Sequence, residues 1–329
     1  MKNRDRPYFS HLAAAALSLA LCAQAIAQSG RVYRLGILET TPASENRVNF
    51  AALLRGLRDL GYVEGKNLVV DYRSSDGRSE RFPELAQNLV RAKPDVIVVR
   101  GTTAALAAKS AGSIPVVMTA AANPVGTGVV SNLSRPGGTV TGFSSIVTEV
   151  SAKRLELIKE LLPRAKRVGL MLNPANPNAP LQAKEFERAA RSLGLEGRVF
   201  EANDPDSLRR AFAAAAAQPV GAMLVNAEGV MYANRSLIVE AAARHRIPIM
   251  YAAREFVDVG GLISYGVHYP DLYYRTAVYV DKILKGAKPG DLPIEQPSKL
   301  ELVVNLKTAK ALGIQFSREF LARTDEAIQ

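Results

Sequence analysis

The chain has 329 residues, 48% hydrophobic and 22% charged, with a formal net charge of +11 and one cysteine. That length and balance describe a soluble protein of about two domains, stabilised by a sizeable core. A single cysteine excludes a disulfide framework. The lysines and arginines are scattered with no basic run, which excludes a built nucleic-acid surface and leaves a solvated exterior.

The first 27 residues read as a secretory signal peptide. Lys2, Arg4 and Arg6 precede an apolar run over 12–27 that ends in Ala25-Ile26-Ala27, an A-x-A cleavage site. The run is shorter than the roughly 20 residues of a membrane helix. Cys22 lies inside it, and Leu21 stands where a lipidation site needs a small residue. Cleavage after Ala27 is therefore expected to release a soluble, cysteine-free periplasmic protein.

From residue 32 onward, strand-length apolar runs alternate with helical periodicities. Residues 32–38 form the first run, and Phe50, Leu53, Leu54, Leu57 and Leu60 then recur at helical spacing up to Gly61. A strand over 67–73 and a helix marked by Phe82, Leu85 and Leu89 follow. Pro94 introduces a strand over 95–99, Gly101-Thr102-Thr103 opens an Ala-rich helix, and a fourth strand covers 114–119. The stretch 118–145 organises the rest: Asn123-Pro124, a short helical piece, the turn Pro136-Gly137-Gly138 and a strand over 139–143. It reads as a crossover between two lobes.

After the crossover the alternation restarts. Strands are expected at 167–172, 195–201, 220–225, 247–250 and 262–265, separated by helices that carry Leu155, Ile158 and Leu162, then Phe186, Ala190 and Leu193, then 206–217 capped by Asp204, then 236–244. Tyr273, Ala277, Val280 and Leu284 mark one long helix. A Gly/Pro-rich connection over 286–297 leads to a strand over 300–304, a short helix to 312, and a polar tail expected on the surface.

The fold class is α/β: two tandem Rossmann-like lobes with parallel sheets and a ligand cleft between them. Lobe I is expected over 28–143 and lobe II over 144–265. A return helix over 266–290 would complete lobe I, and 291–329 would complete lobe II or the hinge. Three crossings, near Gly142, near Gly266 and within 290–299, would let the lobes close on a ligand.

In such sheets ligands bind at the carboxyl ends of strands, where helix N-termini present free N–H groups. The strand exits carry Glu39, Thr40 and Thr41; Thr102 and Thr103; Ala121, Ala122 and Asn123; Asn173; Asn226 and Glu228; Tyr251; and Tyr265. Thr102 and Thr103, opening a helix, suit a carboxylate. Small residues over 121–123 leave space for the ligand, and Tyr251 and Tyr265 are candidate walls. Glu39, Asn226 and Glu228 are unranked candidates to accept from an ammonium. Two plainer readings stand beside these: Ser, Thr and Asn after strands favour helix caps, and both tyrosines suit packing at the core edge.

Catalytic residues, cofactors and metals are not expected. The three histidines, His11, His245 and His268, form no cluster, and no G-x-S-x-G or G-x-x-x-x-G-K-[ST] occurs.

With these residues in hand, the chain resembles the ABC-transporter substrate-binding proteins of the TrpX-like type. The stretches RLGILETTPA, GLRDLGYVEGKNLVVDYR, NPVGTGVVSNLSRPGGTVTGFSS, KRLELIKELLPRAKRVGLMLNP, IPIMYAAREFVDVGGLISYG and LPIEQPSKLELVVNLKTAKALGI carry the resemblance. It implies the periplasmic-binding-protein type I fold and a small-molecule ligand, an amino acid or related carboxylate. It also implies an ABC permease with its ATPase subunit as partner, and a monomer rather than an enzyme. Two other classes are an exported α/β hydrolase, which lacks a motif here, and the sensor domain of a regulator, which would need a signalling segment where the leader stands.

Overall fold

A computed structural model describes residues 31–146, 148 and 150–329. The leader, its cleavage site and Cys22 lie outside these residues. Five parallel strands form the first sheet in the order β2-β1-β3-β4-β5: β1 (Tyr33–Glu39), β2 (Leu68–Ser74), β3 (Val96–Arg100), β4 (Val116–Ala122) and β5 (Val140–Ser145). Helices α1 (Arg47–Asp59), α2 (Phe82–Arg91) and α3 (Thr102–Ala111) connect them. Strands β3 and β4 are buried along their whole length. This is why they read as unbroken apolar runs rather than alternating ones.

The second sheet has seven strands in the order β12-β11-β10-β9-β8-β6-β7. They are β6 (Arg167–Leu172), β7 (Glu196–Glu201), β8 (Ala222–Val225), β9 (Ile249–Tyr251), β10 (Ile263–Val267), β11 (Leu300–Asn305) and β12 (Glu326–Ile328). All pairs are parallel except β10 with β11. Its helices are α4 (Ser151–Leu161), α5 (Ala179–Ser192), α6 (Pro205–Ala217), α7 (Gly229–Ala233), α8 (Arg235–His245) and α9 (Arg254–Asp258). Helix α10 (Tyr269–Leu284) leaves β10 but packs on α1 of the first sheet, and α11 (Leu306–Leu312) and α12 (Arg318–Leu321) follow β11. The α1–α10 approach is close enough that a Cβ at Gly56 would sit 2.6 Å from the Tyr274 carbonyl oxygen.

Several expectations change in detail. Gly142 lies inside β5, where φ is 119° and a Cβ would meet the Met118 carbonyl oxygen at 2.2 Å, so the chain leaves the first sheet only after Ser145. The chain over 123–139 makes turns rather than the expected short helix: Asn123 and Gly128 have positive φ, and Pro124 lacks an N–H. The tail beyond 314 is not merely a polar surface segment. Phe320 is buried, and β12 pairs with β11 at the sheet edge. Helices α7 and α9 have only five residues each, too few for a periodicity to show.

Candidate functional site

Among the described residues, a cleft between the lobes is lined from both sides. Its floor on the first lobe is the end of β3 and the start of α3. Arg100 closes β3, and Gly101, at φ 86°, turns the chain so that Thr102, Thr103 and Ala104 begin α3 facing the cleft. Thr40, Phe82, Ala120 and Ala122 complete that side. Across it, Asn176, Gln182, Asn226, Glu228 and Tyr232 come from the second lobe, and Tyr269 comes from the first turn of α10.

Arg100 dominates the electrostatics. It is 5% exposed, and its guanidinium carbon lies 3.7 Å from the Tyr232 ring centroid and 4.4 Å from that of Tyr269. Both rings lie within cation–π reach of the guanidinium, a favourable place for a cation. Burial alone would weaken its hold on the proton, but Tyr232, Tyr273, Tyr269 and Glu39 around it reverse that, and the group stays charged. Its two terminal nitrogens, Nη1 and Nη2, have no hydrogen-bond partner among the described residues. Buried donors left in this state are costly, by about 1–3 kcal/mol each and more for a charged group.

Glu228 is the acidic side chain of the cleft. One oxygen caps α7 by accepting from the Met231 N–H at 3.2 Å, and the other accepts from Asn173 Nδ2 at 3.1 Å and Asn176 Nδ2 at 3.4 Å. Burial raises its pKa, opposed by these donors.

The lobes meet around the site. Tyr232 Oη donates to Glu255 at 3.0 Å and accepts from Asn49 of α1 at 3.4 Å. Arg235 reaches Glu45 across the gap at 3.2 Å. A Cβ on Gly77 would lie 2.7 Å from Ala233 Cβ, so the Gly77 turn is seated directly on α7.

Of the sequence candidates, Thr40, Thr102, Thr103, Ala122, Asn226 and Glu228 line the cleft together. The others do not. Glu39 points behind Arg100, accepting from Tyr273 Oη and from the Thr40 N–H, and burial raises its pKa against the pull of Arg100. Thr41 is buried beside it. Ala121 belongs to the core. Asn123 caps its own turn by accepting from the Gly126 N–H, and lines a separate groove with Thr148 and Arg188. Asn173 supports Glu228 from behind.

Neither predicted tyrosine wall reaches the cleft. Tyr251 stacks on Phe256 inside the core, with centroids 4.8 Å apart, and Tyr265 packs against the second core. Thr102 does not offer its hydroxyl either. It donates to the Ala122 carbonyl at 3.2 Å and accepts from the Ala122 N–H at 3.0 Å, pinning α3 to β4. The Asn226 oxygen already accepts from Arg154 Nη1 at 3.1 Å, which turns its NH₂ group the other way.

Sequence reasoning missed Arg100, Phe82, Gln182, Tyr232 and Tyr269. The one signal was a cation closing the all-apolar run Val96-Ile97-Val98-Val99, immediately before Gly101.

Known proteins share this arrangement. A family model for the ABC transporter substrate binding protein matches residues 43–328. The tyrosine-binding protein of Clostridioides difficile (strain R20291) is 28% identical over 263 residues, which is 80% of this chain and 75% of that protein. A conserved domain protein from Vibrio cholerae O1 biovar El Tor superposes with a TM-score of 0.85 at 30% identity, covering 90% of this chain and all of that one. The ABC domain from Streptococcus pneumonia, solved in complex with L-Trp, gives 0.81 at 28% identity over 89% of this chain and all of its own. The match runs through both sheets and the cleft between them, on an α/β architecture of periplasmic-binding-protein kind, and the chain belongs to the ABC transporter substrate-binding protein family.

Proposed function

We propose that this protein is the periplasmic solute-binding component of an ABC importer and captures an aromatic α-amino acid between its lobes. It would work as a monomer, close on the ligand by hinge motion, and deliver it to a membrane permease driven by its ATPase subunit. No described helix is long and apolar enough to cross a membrane. The family's extracytoplasmic role agrees with export through the leader.

The observation that carries the reading is Arg100, whose two terminal nitrogens are enclosed in the cleft without partners. Neither nitrogen is spent on another described residue, so the guanidinium keeps the N–H pair with which a carboxylate makes two parallel bonds. The first N–H groups of α3 beside it add partial positive charge. Glu228 supplies the opposite pole for an ammonium. Phe82, Tyr232 and Tyr269 give the apolar surface that an aromatic side chain needs. The ligands of the two named relatives, tyrosine and L-Trp, fit this pattern.

Calorimetric titration with L-tyrosine, L-tryptophan and L-phenylalanine tests it. At least one should bind, and Arg100→Met should weaken it by about ten- to a hundredfold, the worth of a charge-assisted bond. No heat and no thermal shift with any of the three at millimolar concentration would reject the proposal.

A further inference from the structure

Gln182, on α5, belongs to no assigned site, yet it lines the cleft at 4% exposure. Its orientation is set by a chain of hydrogen bonds whose polarity has one solution. Arg154, fully buried on α4, has only donors. Its Nε donates to the Tyr265 carbonyl at 2.7 Å, and its Nη1 lies 3.1 Å from the Asn226 side-chain amide. That amide must therefore turn its oxygen to Arg154 and its nitrogen elsewhere. The nitrogen lies 3.3 Å from Gln182, so Gln182 in turn must receive it on Oε1. What remains for the cleft is Gln182 Nε2, which has no hydrogen bond to another described residue, together with the second N–H of Asn226. An arginine two hydrogen bonds away thus converts two ambiguous amides into a donor-only edge on the second lobe.

We infer that Gln182 is a ligand-binding residue, with its NH₂ group donating to the carboxylate of the bound solute from the side opposite Arg100. An all-donor edge beside the cleft rejects an ammonium and a hydroxyl hydrogen alike and accepts an oxygen anion. The inference rests on the amino-acid reading only in that the solute carries a carboxylate. One carboxylate gripped by Arg100 from the first lobe and Gln182 from the second would tie ligand binding to closure, because both contacts exist only when the lobes meet.

The test uses the full mature protein, wild type and two variants. Gln182→Glu keeps the shape and the acceptor for Asn226 but presents an oxygen to the cleft, and Gln182→Met removes the donor without adding charge. Each is titrated with L-tryptophan, L-tyrosine, L-leucine, indole-3-propionate and tryptamine, with melting temperatures alongside. The expected result is a loss of at least thirtyfold for carboxylate ligands in Gln182→Glu and about tenfold in Gln182→Met, with no loss for the amine. Should Gln182→Glu fail to fold, Gln182→Met alone carries the decision. An aromatic amino acid held within threefold of wild type by the folded variants overturns the role of Gln182 and leaves the proposed function standing. Binding of leucine or indole-3-propionate alone, lost in the variants, removes the aromatic amino acid but keeps Gln182. A wild-type protein that takes no carboxylate from the panel overturns both.

Discussion

Replacing Ala233 by leucine should wedge the lobes apart without disturbing either one. Ala233 ends α7 on the second lobe, and its Cβ rests against Gly77, in the turn after β2 on the first. A Cβ on Gly77 would already lie 2.7 Å from it, so three more carbons at 233 have no room in the closed arrangement. Overpacking of this kind costs about 1–3 kcal/mol. If the lobes open as proposed, the two contacting segments separate and the cost falls on closure alone. If binding requires closure, the apparent affinity drops by the same free energy, about five- to 150-fold. Calorimetry on the tightest-binding aromatic amino acid measures the loss, and small-angle scattering at saturating ligand should show a larger radius than wild type. The melting temperature without ligand should stay within about 2 °C, since a cost confined to closure adds little to unfolding. Wild-type affinity together with a wild-type bound radius would refute the claim that this contact reports closure. Gly77→Ala is the useful contrast: at φ 77° a side chain adds backbone strain of about 1–2 kcal/mol in every state, so it should lower the melting temperature as well as the affinity.

Thr102→Ala should act on stability first. It leaves the Ala122 N–H and carbonyl unpaired in a buried strand end, at about 1–3 kcal/mol, and calorimetric melting should show it as a drop of several degrees. Thr102→Ser should recover most of it. Glu301 should make stability depend on pH. Burial is the main cause that pushes its carboxyl up to about 7, and Arg254, 3.5 Å away, opposes this. An acid whose folded pKa exceeds its unfolded value favours folding at low pH, so this contribution is complete below about 4.5 and fades as pH rises through 7. Glu301→Gln should therefore flatten the stability profile between pH 5 and 8 in urea titrations, by about 1–3 kcal/mol. An unchanged slope would mean that Arg254 keeps the group ionised throughout.

The elements that were legible share one property: their side chains face apolar surroundings on a regular period. Val96-Ile97-Val98-Val99 and Val116-Val117-Met118 read as buried strands because both faces of β3 and β4 are covered. The tail is less legible because Phe316, Phe320 and Leu321 are spread among polar residues, and only tertiary packing shows that Phe320 is buried. At the site, listing strand exits located the right edge of the sheet but could not say which face each residue takes. Tyr251 is the last residue of β9, yet its ring turns inward onto Phe256, while Tyr232 and Tyr269 enter the cleft from helix segments that look like ordinary packing. Asn226 shows a different gap. The sequence places it at the cleft, but whether it donates or accepts depends on Arg154, 72 residues earlier in the chain.

The placement of Arg100 explains why a buried charge can be kept ready for a ligand. A guanidinium paired to a carboxylate would spend its in-plane N–H groups and leave nothing for a solute. Here the compensation leaves the terminal nitrogens without partners among the described residues: the Tyr232 and Tyr269 rings lie beside the cation, and the oxygens of Glu39 are occupied by Tyr273 and the Thr40 N–H. One of these rings, Tyr232, belongs to the second lobe and is itself held by Asn49 and Glu255 at the lobe contact. An opening of the cleft that carried Tyr232 away would therefore return the cation to water, where a carboxylate competes poorly with solvent. Closing it lowers the local polarity and strengthens the in-plane bond. If the lobes close on the ligand as proposed, affinity and closure are coupled at the same side chain, and a solute without an anionic group would gain nothing from the lobes meeting there.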